Sequence, residues 1–367
     1  MNSFLSKNIC LVSIALILFQ CSGNNNETVS DKAKPSISHT KIVRVISPAN
    51  NSSFFLGDEV DFNIIARKGF NMDSILIKVN NDIISLDNDK GDTILGKSIL
   101  PVIKTGKILI KIQSFLNDSL TETDYLEINA LSDIEPEQMT YKVLNTFAHS
   151  INAYTQGLVY EDGLIYEGTG YWGQSRLLKY KAGTQNALKE IYLPAELFGE
   201  GIEIYGNKLI QLTYRAQKAF VYNKNTFEKI GEFNYPYQEG WGITFDGEYL
   251  IMSDGSNNLY FLDPELLTEV KRIEVCDNNG IMDSLNELEY IDGFIYANVY
   301  QRNFIVCIDP NTGKILKKID MSNILRPDDY HQNIDVLNGI AFNPERNTYY
   351  ITGKYWPKMF EVVFVKK

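Results

Sequence analysis

A short pattern recurs five times along the C-terminal two-thirds of this chain, and it restricts the fold more than any other feature. A lead residue, polar or aromatic, is followed by a small or acidic residue and then an aliphatic one. The occurrences are Gln156-Gly157-Leu158, Glu200-Gly201-Ile202, Trp241-Gly242-Ile243, Asn286-Glu287-Leu288 and Asn338-Gly339-Ile340, at intervals of 44, 41, 45 and 52 residues. Regular recurrence at this period is the signature of repeated supersecondary units that bury their faces against one another. Each occurrence leads into a turn and a second apolar segment, as in EDGLIYEGTG and IDGFIYANVY. A third and fourth follow, as in AFVYNKNTFEKIGEF and FIVCIDPNTGKILKKIDM. Four short strands per unit with turn residues between them predict the blades of a β-propeller.

The fifth unit ends after three strands, at MFEVVFVKK, while the segment MTYKVLNTF (139–147) precedes the first unit as an unassigned strand. Pairing the two completes the fifth unit and removes an exposed sheet edge. The expectation is therefore all-β: a five-bladed propeller over residues 139–367. Ahead of it, residues 41–131 alternate apolar and polar residues in short runs (KIVRVISP, EVDFNIIA, GKILIKIQSF) divided by turn clusters. This predicts an immunoglobulin-like β-sandwich, acting as spacer or docking module, with SDIEPEQ (132–138) as linker.

The first 40 residues read as targeting. Lys7 precedes an apolar run from Ile9 to Phe19, too short to span a bilayer stably, and a polar string follows Cys21. Residues 1–21 thus read as a lipoprotein-type signal segment in which Cys21 is lipidated and anchors the chain to a membrane. Gln20 stands where a small residue is usual, so ordinary cleavage nearby is the alternative. Residues 22–40 would be a flexible tether, and the protein an exported one of the bacterial cell envelope. Cys276 and Cys307 remain in the folded part and read as buried thiols.

Several chemistries are excluded. The net charge of −11 and the absence of a basic stripe argue against nucleic-acid binding. His39, His149 and His331 have no metal-ligand spacing, and no nucleophile elbow, P-loop or dinucleotide fingerprint occurs, so no metal or cofactor is expected. DGSNN (254–258) and DPNTG (309–313) read as ordinary turns rather than calcium loops. Glu287 and Glu289 fall on one face of a strand, the arrangement a paired-carboxylate hydrolase would use.

In a propeller the lead positions of all units converge at one end of the central channel. Of the five, Glu200 is the only carboxylate. Beside Phe198 and near Trp241 it should be partly desolvated, which raises a carboxyl pKa towards the range useful for proton transfer. Gln156 and Asn338 either face a ligand or hydrogen-bond unit to unit. Tyr214, Tyr300 and Lys354, at the ends of second strands, add aromatic walls and an amine. A small polar site with apolar walls suits a small neutral or cationic ligand.

Nine motifs in order carry a resemblance: YTQGL, GYWGQS, FGEGI, EGWGIT, SDGS, LNELEY, ANVYQ, DVLNGIAF and TGKYWPKMFEV. From about Tyr141 to the end, the chain resembles the plant and bacterial glutaminyl-peptide cyclotransferases. The resemblance implies conversion of an N-terminal glutamine of a peptide or protein to pyroglutamate, with loss of ammonia. It implies Glu200 as the catalytic carboxylate and Tyr154, Gln156, Phe198, Trp241, Asn286 and Lys354 as substrate-binding positions. Two positions that are usually Trp in the family are Tyr214 and Tyr300 here. Lys354 and Asn286 are expected to stabilise the developing oxyanion. The rival reading is a non-catalytic propeller that binds peptides or glycans at the channel mouth.

Overall fold

The computed structural model describes residues 41–367 apart from 71, 85, 87–91 and 117–118. The predicted signal segment, Cys21 and the tether lie outside the described residues. Those described are almost wholly β-strand and turn; the one helical element among them is the 3₁₀ turn Pro327–Asp329.

Residues 43–131 form two sheets. Val43–Ser47, Glu59–Ala66 and Thr93–Ile99 make a three-stranded sheet. The other, in spatial order, is Ser53–Phe55, Ser119–Leu131, Gly106–Leu116, Ser74–Val79 and Asp82–Ile84. Alternation does the folding work here. Ile108, Ile110 and Ile112 point inward to join Phe62, Ile64, Val79 and Ile128 in one core, while Lys107, Leu109 and Lys111 point outward. This unit is tied to the rest by backbone as well as side chains. Thr105 donates its N–H to the Thr312 carbonyl at 2.8 Å, and its hydroxyl to the Glu274 carbonyl at 2.5 Å. Residues 132–138, read as a linker, are held too: Asp133 pairs with Lys314 at 2.6 Å, and the next strand begins at Glu137, two residues earlier than predicted.

From residue 155 onward the strands fall into sequential antiparallel groups, four of four strands and a last of three that takes Glu137–Ala148 as its fourth. Three are separate sheets, beginning with Thr155–Glu161, Gly199–Tyr205 and Ile243–Phe245. The remaining strands join in one eight-stranded sheet. Leu285–Ile291 opens one half and Leu337–Asn343 ends the other, with the long strand Glu137–Ala148 between the halves. That strand runs antiparallel to Lys358–Lys366 over its length, and parallel to Ile315–Asp320 at Glu137–Met139. The edge left by the fifth repeat is thereby covered. Asp162-Gly163 and Asp292-Gly293, with φ of 51° and 79°, and 49° and 89°, make the left-handed two-residue turns that such hairpins require.

The five first strands contact one another in sequence and the last contacts the first, so they form a closed ring. Burial falls from this ring outward: residues 155–159 are all buried, whereas the fourth strand of the same sheet, Ala187–Tyr192, is mostly exposed. Space at the ring decides two residues. A Cβ on Gly201 would collide with the Trp241 carbonyl, and one on Gly242 with that of Asn286. At the corresponding place in the fourth repeat stands Glu287, and its carboxylate reaches across the ring. It accepts the N–H of Leu158 at 3.2 Å and of Ile340 at 3.0 Å, satisfying inner amides of the first and fifth repeats.

Where the fifth repeat meets the first, His149 is buried among polar groups. Its Nε2 lies 3.1 Å from Glu167 Oε1 and its Nδ1 2.8 Å from the Trp356 carbonyl. Thr155 and Tyr180 also donate to Glu167, and the Thr352 hydroxyl lies 3.3 Å from Nδ1. Although burial opposes it, the Glu167 charge and these hydrogen bonds raise the His149 pKa, and they hold Glu167 below its ordinary value. Cys276 and Cys307 are free and buried, their thiols pushed up to about 12 and about 11 by burial.

Replacing His149 by Leu strands a buried carboxylate, and should cost about 3–5 kcal/mol in urea unfolding. The His149 contribution is complete below the unfolded pKa of 6.5 and is lost as pH rises through the higher folded value. That of Glu167 is complete above 4.5 and is lost as pH falls through the lower folded value. The difference between wild type and His149→Leu should therefore be largest between pH 4.5 and 6.5; a pH-independent difference would show that the pair is not ionised.

Candidate active site

One end of the ring opens into a cavity of about 230 Å³ lined by Tyr154, Gln156, Phe198, Glu200, Tyr214, Trp241, Asn286, Tyr300 and Lys354. All nine candidate site residues of the folded part thus meet at one place, although they span two hundred positions of sequence. Three places in the repeat supply them. Gln156, Glu200, Trp241 and Asn286 are leads; Tyr154 and Phe198 stand two residues before a lead; Tyr214, Tyr300 and Lys354 follow second strands.

The fifth lead does not line the cavity. Asn338 donates Nδ2 to the Thr155 carbonyl at 2.9 Å and to Gln156 Oε1 at 3.2 Å, joining the fifth repeat to the first. Of the two readings of Asn338, the unit-to-unit bond is the one observed. It also orients Gln156, whose Oε1 is occupied and whose Nε2 is left to donate. Glu287 and Glu289 do not line the cavity either. Their oxygens accept backbone amides, Glu289 that of Phe342 at 2.8 Å, so the paired carboxylates are committed to holding strands together. Burial raises both carboxyls well above the ordinary value, and Glu203 nearby is pushed up to about 8.

Glu200 is 4% exposed. Desolvation is the main cause that raises its pKa well above the ordinary carboxylate value; Lys354 pulls it down and Glu239 pushes it further up. The Lys354 ammonium lies over the rings of Tyr154 and Tyr300, 4.7 and 5.0 Å from their centroids. Burial pushes Lys354 down to about 8 against the pull of Glu200 and Asp335. The two groups form no direct ion pair among the described residues. Asn286 makes no side-chain hydrogen bond among the described residues, and its Oδ1 is buried without a partner, so its carboxamide is free for a ligand.

The walls are held from behind by residues that the sequence reading missed. Glu239 accepts the Trp241 indole N–H at 2.9 Å and pairs with Arg215 at 2.8 Å. Arg215 in turn lies over the Tyr214 ring, 4.7 Å from its centroid. Asp335 accepts the Tyr154 hydroxyl at 3.1 Å. Glu239 was within reach of the repeat, because it stands two residues before a lead, as Tyr154 and Phe198 do. Asp335 has no such offset. Asp254, which follows the second strand of the third repeat, is engaged by Ser256 and Tyr260 rather than by the cavity. DGSNN and DPNTG are turns capped by Asp254 and Asp309, and among the described residues no cluster of three metal-binding side chains occurs.

The arrangement pairs a proton acceptor of raised pKa with a nearby cation and free amide groups, inside aromatic walls. That composition is chemically suited to proton transfer with a small polar substrate. The glutamine cyclotransferase family model matches residues 118–364. The glutaminyl-peptide cyclotransferase of Arabidopsis thaliana is 34% identical over 224 residues, which are 60% of this chain and 70% of that one. The crystal structure of Myxococcus xanthus glutaminyl cyclase superposes with a TM-score of 0.60 at 31% identity, covering 64% of this chain and all of that one. By these matches and its site, the chain belongs to the glutamine cyclotransferase family.

Proposed function

We propose that this protein is a glutaminyl cyclase that converts the N-terminal glutamine of peptides or proteins to pyroglutamate, with Glu200 as its single general acid and base. The observation that carries this reading is the buried Glu200 facing Lys354 in a cavity sized for one residue. The α-amine attacks the Cδ carbonyl carbon of its own side chain, a C–N bond forms, and the bond to the carboxamide nitrogen breaks to release ammonia. The attacking nitrogen must lose a proton and the leaving nitrogen must gain one. Glu200 accepts the first and delivers it to the second, so one carboxylate suffices. Ring closure is intramolecular, and walls that hold the side chain curled supply much of the acceleration. Lys354 and Asn286 donate to the oxyanion, while Gln156 orients the substrate through Nε2. Tyr214 and Tyr300 keep an aromatic wall that is narrower than the family's usual tryptophans.

The same reading takes the five four-stranded groups as five propeller blades and classes the enzyme as an aminoacyltransferase. Residues 41–131 would be an immunoglobulin-like spacer, and a lipid on Cys21 would anchor the protein in the cell envelope. Mass spectrometry of the membrane fraction tests the anchor: a diacylated Cys21 is expected, and a soluble mature chain starting elsewhere would remove it.

A coupled ammonia-release assay on a Gln-initiated dipeptide tests the reaction. Wild type should be active with or without a chelator, and Glu200→Gln should lose at least about 10²-fold in kcat. Silence of the wild type on every such peptide would leave a non-catalytic binder of peptides or glycans as the better reading.

The pH profile tests the roles. Activity should rise as Glu200 loses its proton, at a pH above the ordinary carboxylate range, and fall as Lys354 loses its own near 8. The substrate amine attacks in its free form and titrates near the same pH, at about 7.7–8, so it adds to the rise and not to the fall. Arginine stays protonated, so the alkaline limb should move upward in Lys354→Arg; an unmoved limb would show that Lys354 does not act as the cation.

A further inference from the structure

We infer that Tyr171 and Trp172 extend the cavity into an aromatic shelf that takes the second residue of the substrate and selects apolar or aromatic side chains there. The inference rests on the cyclase reading and adds a substrate class to it. Pockets that enclose a whole small ligand occupy about 300–1,000 Å³. This one, at about 230 Å³, encloses the glutamine and leaves the rest of the peptide on the rim.

The rim is uneven. Beyond Tyr214 stand Arg215 and Glu239, whose charges satisfy each other. Beyond Tyr300 the surface is mixed, with Asp283, Gln301 and Arg302 beside Ile281 and Phe304. On the side of the first and fifth repeats the aromatic wall continues outward. Tyr154 touches Tyr171 and Tyr355, with ring centroids 5.9 and 5.0 Å away, and Trp172 meets Phe198 edge-on at 5.5 Å. Tyr171 is 46% exposed and Trp172 51%. These are large apolar faces left in water at the mouth of a site, where a ligand side chain gains by covering them.

The backbone indicates that the display is not incidental. The turn after the second strand uses a left-handed residue in several repeats: Gly255 in the third has φ +82° and Gln301 in the fourth +61°. Glycine is the inexpensive occupant of such a position. The first and fifth repeats instead carry Tyr171 at +94° and Tyr355 at +59°, and a bulky residue there is strained. Both strained tyrosines lie against Tyr154, on this aromatic flank of the rim. The segment is also rigid. The Gly170 N–H binds the Tyr154 carbonyl at 2.8 Å, and the Tyr171 carbonyl accepts both the Gln174 N–H at 3.0 Å and the Ser175 hydroxyl at 2.8 Å. A surface held in place before the ligand arrives costs less ordering on binding.

The test compares Gln-Phe-NH₂ with Gln-Gly-NH₂, by ammonia release with the wild type and by calorimetric binding with Glu200→Gln. Wild type should favour the phenylalanyl substrate by about tenfold or more in kcat/KM, the scale of a filled apolar subsite. Trp172→Ala should bring the ratio to within about threefold. Tyr171→Gly should do the same while relieving the backbone strain, so it also controls for folding: a residue with only a structural role would leave the ratio unmoved. A wild-type ratio near one, or a ratio kept when Trp172→Ala and Tyr171→Gly are combined, overturns the shelf. If Glu200→Gln prefers the phenylalanyl ligand but wild type releases no ammonia, the shelf stands and the cyclase reading falls. If neither ligand binds and wild type releases no ammonia, both fall.

Discussion

Everything at the site depends on how closely five inner strands approach one another around a common axis. At Gly201 and Gly242 there is no room for a side chain beside the next strand's carbonyl. Such proximity brings buried amides together with no outside partner, and unpaired groups of that kind are costly. The structure resolves this by spending carboxylates. Glu287 ties the first repeat to the fifth, and Glu289 accepts from Phe342. These acids look like chemistry in a list of residues, yet they act as mortar. Their pKa values rise for the reason that makes Glu200 interesting, so burial of an acid alone does not identify a catalyst. What separates Glu200 is that its carboxylate borders a cavity, with a cation nearby, instead of accepting strand amides.

The same tightness explains why the site is so dense in function. A strand in the ring can place a lead residue only at the channel end, and five repeats bring five such residues together. Four line the cavity; Asn338 instead fixes Gln156 and the junction between the last repeat and the first. Closure of the ring and orientation of a site residue therefore share a hydrogen-bond network, with His149 and Glu167 a short step away through Thr155. A loosened junction would disturb both stability and the geometry at Gln156.

Much of this was legible in the sequence because the repeat carries it. The period marked the leads, the strand at 139–147 matched the strand missing from the fifth repeat, and Glu200 stood out as the lone lead carboxylate. Tyr214, Tyr300 and Lys354 were read from the ends of second strands, whereas Tyr154 came from the family resemblance. What stayed hidden was contact between loops. Asp335 meets Tyr154 across 181 residues, and Arg215 covers Tyr214 only because a salt bridge to Glu239 holds it. Periodicity reports which face a residue takes, not what a loop from another repeat sets against it. Likewise, nothing in GYWGQS distinguishes two tyrosine and tryptophan rings packed in a core from the two that stand half in water.

The electrostatics of the site point to what completes it. Burial drives Glu200 towards its neutral acid and Lys354 towards its neutral amine, and each group's charge partly restrains the other. Neither has the close ion pair that usually compensates a buried charge. On the proposed mechanism an α-amine that donates a hydrogen bond to Glu200 favours its carboxylate form, the form that can take a proton. Attack would then place negative charge on the side-chain oxygen, which favours the protonated form of Lys354. Both groups would thus reach their working charge when the substrate stands beside them. Electrostatic stabilisation is strongest where charge develops in a desolvated space, and a site under-compensated in its resting state keeps that stabilisation for the reacting atoms.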